Sequence, residues 1–305
     1  MDHISPIDQE LQDLLYTQTR NLFHKIEPLL REWQLNSVYI AGGSFGPVIH
    51  DIDLFPVEPD DYREVYEQSK TAEHKPVYQS NNALTFDCNG TRVQFCDYYH
   101  PSLSKLLQSF DFAHIQVGAL LNLSYRDSSD DNEPPSVFLN DIEVLYTTDY
   151  VRSRIRGTTW YTLFQEYEPE EDCDTDDTVA ALEQAYPLSS LLRSVKYKER
   201  GLMTKSQYAD TVIRILCTLI RRGFRDYNDF KQQLNAIDLV SITKNPYALD
   251  FDATEEDYDR LCMNFEPLMQ LYHLLKGASV MTGMTEEQRQ ALILEIQEAE
   301  SEEQE

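Results

Sequence analysis

Apolar positions in the first third of the chain recur at two different spacings, and the change of period marks where elements begin and end. Leu11, Leu14, Leu15, Leu22, Ile26, Leu29, Leu30 and Trp33, with Ile7 ahead of them, fall at helical spacing. They predict one long amphipathic helix, opened by Ser5 as N-cap and Pro6 as first helical residue. Pro28 lacks an amide hydrogen and predicts a kink or split near its end. From Val38 the pattern tightens. Val38-Tyr39-Ile40, a Gly42-Gly43-Ser44 turn and the run Asp51-Ile52-Asp53-Leu54-Phe55 predict a strand pair. A short surface helix is expected over Asp60–Ser69. Strands follow at Ala83–Phe86 and Arg92–Phe95, joined through Asn89-Gly90, a dipeptide suited to a tight hairpin turn. A helix over Pro101–Ser109 and strands at His114–Leu123 and Val137–Tyr146 complete residues 1–150, which read as a mixed sheet of about five strands carrying helices.

Beyond residue 150 the regular periodicity is helical. Thr147–Arg156 is basic, whereas Glu166–Asp177 is so acidic that 151–182 reads as a solvated insertion. Apolar faces at Leu188–Lys198, Ser206–Arg222, Tyr227–Leu234, Glu255–Asn264 and Glu266–Leu275 predict a helical domain over 183–284, with Gly201 and Gly223 placed as helix stops. Residues 285–305 read as an acidic helix or tail. Its end offers no apolar face to bury and is expected to be dispensable. The fold class expected is α+β, a mixed sheet domain followed by a helical domain.

Charge and cysteine usage narrow the partners. Among 305 residues, 26 Lys and Arg face 53 Asp and Glu, a formal net charge of −27. Bulk attraction to DNA or to an anionic membrane is therefore disfavoured, and any RNA contact must be local. Five cysteines, odd in number and without a CxxC pair, suit the reduced thiols of a cytoplasm rather than a disulfide framework. No apolar run approaches the length of a membrane span.

The candidate chemistry sits in the strand pair. Asp51 and Asp53 flank Ile52 and so point to the same face of a strand, roughly 7 Å apart along it. Two carboxylates side by side are costly without a cation between them. Hard oxygen ligands of this kind suit Mg²⁺, held by one or two carboxylates together with substrate phosphates, with Mn²⁺ as the alternative ion. Gly42 and Gly43 allow close approach of a phosphate to backbone N–H groups, with the Ser44 hydroxyl as a further donor.

The run Ala41-Gly42-Gly43, seven residues, then Asp51-Ile52-Asp53-Leu54 resembles the signature of the nucleotidyltransferase superfamily that includes DNA polymerase beta, poly(A) polymerases and CCA-adding enzymes. Val93-Gln94-Phe95, Phe110-Asp111-Phe112 and Pro187–Arg193 with Lys196-Tyr197 look like segments of a less characterised bacterial and phage branch. Together these segments span residues 35 to 205. The resemblance implies a polymerase-beta-like fold, an NTP as substrate, Asp51 and Asp53 as metal ligands and Gly42, Gly43 and Ser44 as a phosphate cradle.

The superfamily pattern also implies a third carboxylate at the centre of a later apolar-acid-apolar triplet. Here that triplet is Val93-Gln94-Phe95, and the acid is an amide. Asp97 alternates to the opposite face from Gln94 unless a bulge near Cys96 reverses it. Asp111, between Phe110 and Phe112, is the favoured candidate for the general base. Arg193, Lys196 and Arg200 share one helix face, a basic stripe suited to a triphosphate, though it equally suits pairing with the chain's own carboxylates. Arg152, Arg154 and Arg156 alternate as candidates for an acceptor groove, and His50 adjoins Asp51. The function expected is transfer of a nucleoside monophosphate from an NTP to an acceptor hydroxyl, on a structured RNA end or a protein. The alternative is a non-catalytic nucleotide-binding or regulatory protein of the same fold.

Overall fold

A computed structural model describes residues 6–46, 49, 51–79, 82–126, 135–163, 186–235, 254–256 and 259. Helix α1 (Pro6–Trp33) leads into β1 (Ser37–Ala41), a 3-10 turn (Gly42–Phe45) and β2 (Asp51–Phe55). There follow α2 (Asp61–Ser69), β3 (Tyr78–Gln79), β4 (Ala83–Cys88), β5 (Thr91–Cys96), α3 (Leu103–Gln108), β6 (Val117–Arg126), β7 (Ser136–Tyr146) and α4 (Thr148–Arg156). The seven strands form one sheet in the order β3-β4-β5-β2-β1-β6-β7. Among the described strand pairs only β2 and β5 run parallel, because α2 and the β3-β4 excursion carry the chain across before β5 joins β2. Asn89 (φ 54°) and Gly90 (φ 77°) close the β4-β5 hairpin as the sequence predicts.

Strand alternation sorts the sheet into two unlike faces. Val38, Ile40, Ile52, Leu54, Leu84, Phe86, Val93, Phe95, Val117, Ala119 and Leu121 are all fully buried in the main core with the apolar stripe of α1. The Trp33 ring packs 5.0 Å from Phe86 and 5.3 Å from Phe95. On the other face a smaller cluster of Tyr39, Ala41 and Phe55 meets Leu103, Leu106 and Leu107 of α3. That face carries Asp51 and Asp53, both only partly buried.

α1 is not split at Pro28. An interior proline costs about 3 kcal/mol. Ile26, Leu29, Leu30 and Trp33 around it are essentially fully buried, each contributing roughly 1.5–3 kcal/mol, so packing outweighs the lost bond. The sheet has seven strands rather than about five. Its edge strand β3 is two exposed residues with no apolar signature. β6 begins at Val117 rather than His114, because Ala113–Ile115 winds a 3-10 turn.

The basic stretch after Thr147 is a helix, α4, with the Thr147 hydroxyl accepting from the Tyr150 amide (3.1 Å) and Gly157 (φ 63°) ending it. Residue 150, the expected edge of the sheet domain, falls inside that helix. The helical region continues through α5 (Pro187–Glu199), α6 (Lys205–Arg222) and α7 (Tyr227–Asn235). Gly201 (φ 76°) and Gly223 (φ 61°) stop α5 and α6 in left-handed geometry. A capping box between Thr204 and Gln207 opens α6. Arg222 donates to both oxygens of Asp229 (2.7 and 2.8 Å) and ties α6 to α7. The acidic stretch Glu166–Asp177, the expected helix Glu266–Leu275 and residues 285–305 lie outside the described residues, as does nearly all of Glu255–Asn264. Among the described residues no helix is long and apolar enough to cross a membrane.

Candidate functional site

The Gly-Gly turn and the acid pair are built as one unit. Gly42 has φ +75°, a conformation costly for any residue with a Cβ, and this aims the chain from β1 back across the mouth of β2. Ser44 is fully buried. Its hydroxyl donates to the Ala41 carbonyl (3.1 Å) and accepts the Asp53 amide (2.9 Å), while Gln18 Nε2 donates to the Ser44 carbonyl (3.3 Å). Ser44 therefore pins the turn to β2, with its hydroxyl committed to the protein backbone.

Asp53 rests against the turn. A methyl group placed on Gly42 would lie 3.7 Å from the Phe110 ring and 3.8 Å from Asp53 Oδ2, and one on Gly43 would lie 3.9 Å from the same oxygen. Gly42 is buried and Gly43 exposed. Burial, then the charge of Asp51, pushes the Asp53 carboxyl up to about 7, and Lys196 of α5 opposes them. Burial is the larger cause of that shift and the Asp51 carboxylate adds to it; a divalent cation held by Asp51 and Asp53 would offset both.

The sheet register sets the neighbours of the pair. Parallel β5 places Gln94 beside Asp53 and Arg92 beside Asp51. On β4 Thr85 lies beside Gln94. Burial first, and then Asp53 and Asp51, raise the Cys96 thiol well above its ordinary value, so Cys96 adjoins the same charges. Among the described residues no set of three or more His, Cys, Asp and Glu side chains is arranged to hold a metal ion. Asp97 is directed elsewhere, as alternation predicts. Its amide donates to the Asn82 carbonyl (2.8 Å), and its charge acts on Tyr62 of α2, whose ring stacks on Phe95 in the main core.

Asp111 and Arg193, expected as base and triphosphate ligand, meet each other. Asp111 Oδ2 accepts from Arg193 Nη2 (2.7 Å), Arg193 Nε (3.0 Å) and the Ser190 hydroxyl (2.6 Å). The stretch from Phe110 to Phe112 is held from below by Gln116, which donates to the Phe110 carbonyl (2.9 Å) and to Thr162 Oγ1 (3.1 Å). The Thr162 amide donates to the Asp111 carbonyl (3.0 Å). α5 thus docks on the sheet domain through one side, with Ser190, Arg193 and Tyr197 at one helical repeat. Lys196, next to Tyr197, carries its positive charge toward Asp53.

Sequence reasoning missed the group around Tyr197. This fully buried ring meets Phe112 (4.8 Å between centroids) and His114 (4.2 Å), both edge to face. His114 Nδ1 pairs with Thr159 Oγ1 at 2.8 Å. Burial lowers the His114 imidazole to about 4, and Arg200 and Lys196 push the same way against Asp111. The available signal was the spacing Ser190, Arg193, Tyr197 read against Phe110-Asp111-Phe112. Arg152, Arg154 and Arg156 do not alternate on a strand. On α4, Arg152 and Arg156 stand four residues apart on one face, and Arg154 turns away toward the Tyr150 hydroxyl (3.5 Å). His50 lies outside the described residues.

No protein-family model matches the chain, and no curated protein matches it. Among the solved structures similar to it are two at 13% identity. The CCA-adding enzyme of Thermotoga maritima complexed with tRNA has a TM-score of 0.35, covering 81% of this chain and 50% of its own. A complex of CCA-adding enzyme with CTP has a TM-score of 0.32, covering 82% of this chain and 66% of its own. The chain thus spans about half to two thirds of the length of these structures.

Proposed function

We propose that this chain is a nucleotidyltransferase that moves a nucleoside monophosphate from an NTP to an acceptor hydroxyl and releases pyrophosphate. The observation that carries the reading is the glycine turn packed against Asp53, with Asp51 beside it and Lys196 acting on it from the helical region. Asp51 and Asp53 would hold Mg²⁺ or Mn²⁺, which when bound neutralises phosphate charge and polarises the reacting oxygens. Exposed Gly43, which has no side chain, would let phosphate oxygens approach the backbone, and Gly42 supplies the backbone geometry. Ser44 holds the turn in place. Lys196 adds positive charge that acts on Asp53.

Asp111, neutralised by Arg193 and Ser190, is assigned a positioning role. It fixes α5, and with it Lys196, over the acid pair. Gln94 cannot accept a proton at neutral pH, so the acceptor's proton leaves to water and catalysis rests on positioning and charge neutralisation. Acceptors that fit are a structured RNA end or a protein side chain, and the thiols of Cys88 and Cys96 suit a cytoplasmic setting.

Incubation of the full chain with labelled NTPs, Mg²⁺ and either cellular RNA or protein extract should yield a labelled product. Asp51→Ala with Asp53→Ala should yield none. Calorimetry that finds no NTP binding with either Mg²⁺ or Mn²⁺ would falsify the reading. Gln94, standing where the resemblance implies a third acid, favours one second reading, a nucleotide-binding protein without turnover. NTP binding with no labelled product from any acceptor would select it.

A further inference from the structure

A second groove, whose lining shares no residue with the acid pair, lies between α4 and α6 beneath the segment that follows Gly157. It encloses about 360 Å³, and Arg152, Arg156, Trp160 and Arg214 line it together with Asp149 and Asp210. That volume falls in the range of small-molecule sites. In a chain with net charge −27, three guanidinium groups converging on one concave surface run against the composition.

Two of the arginines are braced by local acids. Arg152 Nη1 stands 3.6 Å from Asp149, and Arg214 Nε donates to Asp210 at 2.9 Å. Arg156 lies over the Trp160 ring instead, 5.9 Å from its centroid. The groove therefore offers cationic forks, one partly exposed indole face, and two carboxylates able to accept from hydroxyl or amino groups. Forked guanidinium donors suit phosphate oxygens, and an indole with an arginine beside it suits an aromatic base.

The wall is rigid. The Trp160 carbonyl accepts the Ala113 amide (3.1 Å), and Tyr161 bridges to Phe112. Trp160 is thus anchored to the same backbone stretch that holds Asp111.

We propose that this groove binds a nucleotide unit, with its base against Trp160 and its phosphate between Arg152, Arg156 and Arg214. It does so without a metal ion and independently of the acid pair. The unit can be a free mononucleotide or the terminal nucleotide of a strand.

The chain holds two tryptophans. Trp33 is fully buried in the core, so a change in fluorescence excited at 295 nm on ligand binding reports Trp160. The full chain is titrated in EDTA with AMP, with a short oligoribonucleotide and with inorganic phosphate. Saturable quenching by AMP or the oligonucleotide is expected, persisting when Asp51 and Asp53 are both alanine. It should weaken at least about tenfold in Arg152→Gln with Arg214→Gln, the loss expected for a charge-assisted phosphate contact. Arg152 is largely exposed and Arg214 about a third exposed, so circular dichroism should show that variant folded. Tighter binding of the oligonucleotide than of AMP identifies a strand end, and the reverse order a free nucleotide. The proposal is overturned if neither quenches, if the double variant binds as tightly as the parent, or if inorganic phosphate competes as strongly as AMP. None of these outcomes bears on NTP binding at Asp51 and Asp53, which needs a divalent ion.

Discussion

Arg193 donates two hydrogen bonds to a single oxygen of Asp111, from Nε at 3.0 Å and Nη2 at 2.7 Å, and the same oxygen accepts the Ser190 hydroxyl. Asp111 is almost completely buried, whereas a third of the Arg193 side chain reaches solvent. The pair joins the loop before β6 to helix α5, and so couples the sheet domain to the residue that carries positive charge over Asp53.

A positioning role and a proton-accepting role for Asp111 predict different losses. Breaking a buried ion pair by removing one partner costs about 3–5 kcal/mol, and partial solvation of Arg193 reduces this to roughly 2 kcal/mol. Asp111→Asn should therefore lower the urea midpoint, and Arg193→Gln, which strands the more deeply buried carboxylate, should lower it at least as much, with transfer activity falling in both. If Asp111→Asn removes activity while leaving the unfolding curve unchanged, the residue acts on the proton and the positioning assignment is wrong.

The buried imidazole of His114 makes stability depend on pH in a defined window. Tyr197, Phe112 and Thr159 pack against it, and Asp111, Arg200 and Lys196 are the charges that face it. Its folded value is lowered to about 4 from an ordinary 6.5. Between these values the unfolded chain takes up a proton that the folded chain refuses. Stability is therefore fully present above pH 6.5 and falls as pH drops toward 4, by on the order of 2–3 kcal/mol from this group alone. The many carboxylates titrate in the same range, so the test is a difference. Unfolding free energies of the parent and of His114→Gln, measured from pH 7 to pH 4, should converge as pH falls. Parallel curves would show that His114 contributes nothing to the slope.

Much of this fold could be read from the sequence because its periodicity is strong. The stripe from Leu11 to Trp33 and the run Val38–Phe55 specified α1 and the β1-β2 pair, and Asn89-Gly90 specified the β4-β5 hairpin. The edge strand Tyr78–Gln79 was not legible, because two exposed residues held by backbone hydrogen bonds leave no apolar pattern. Helix α4 was obscured by its polar, arginine-rich face. At the site, the acid pair and the turn could be read from spacing alone. The Asp111–Arg193 pair could not, since 82 residues separate the partners and only the docking of α5 brings them together. Ser44 looked like a free donor because its two backbone partners become visible only once β1 and β2 are paired.

Gly118 illustrates a constraint of close packing that no local pattern announces. It faces Ala41 in the β1-β6 register. A Cβ there would stand 2.9 Å from Ala41 Cβ, 2.9 Å from the Ile40 carbonyl oxygen and 3.1 Å from Leu103 Cδ1. Two of those neighbours belong to the interior strand β1 and cannot move aside as a flexible side chain would. Gly118→Ala should destabilise the chain by roughly 1–3 kcal/mol, and it should weaken NTP binding because Ala41 leads directly into the Gly42 turn. Gly90→Ala serves as a contrast. Nothing lies within 4 Å of its added methyl, so only its left-handed backbone geometry is strained. An unchanged melting temperature in Gly118→Ala would show that β1 and β6 have room the structure does not display.

Gln94 offers the most direct test of the acid pair, because its neighbour in the sheet is fixed. Parallel pairing sets Gln94 beside Asp53, and residues so paired project from the same face. Gln94→Glu therefore adds a third carboxylate next to one already raised to about 7 by burial and by Asp51. Without metal the added charge repels Asp53 and Asp51, and the variant should be less stable than the parent by roughly 1–2 kcal/mol at pH 8. With Mn²⁺ the same charge becomes a ligand. Affinity should rise about tenfold, equivalent to 1.4 kcal/mol, and the melting temperature lost without metal should be recovered as Mn²⁺ is added. Gln94→Leu, which removes the amide oxygen without adding charge, should weaken Mn²⁺ binding or leave it unchanged. Titration calorimetry on the three proteins reads these differences directly. Equal Mn²⁺ affinities for Gln94→Glu and the parent would mean that position 94 does not reach the ion, and that any cation is held by Asp51 and Asp53 alone.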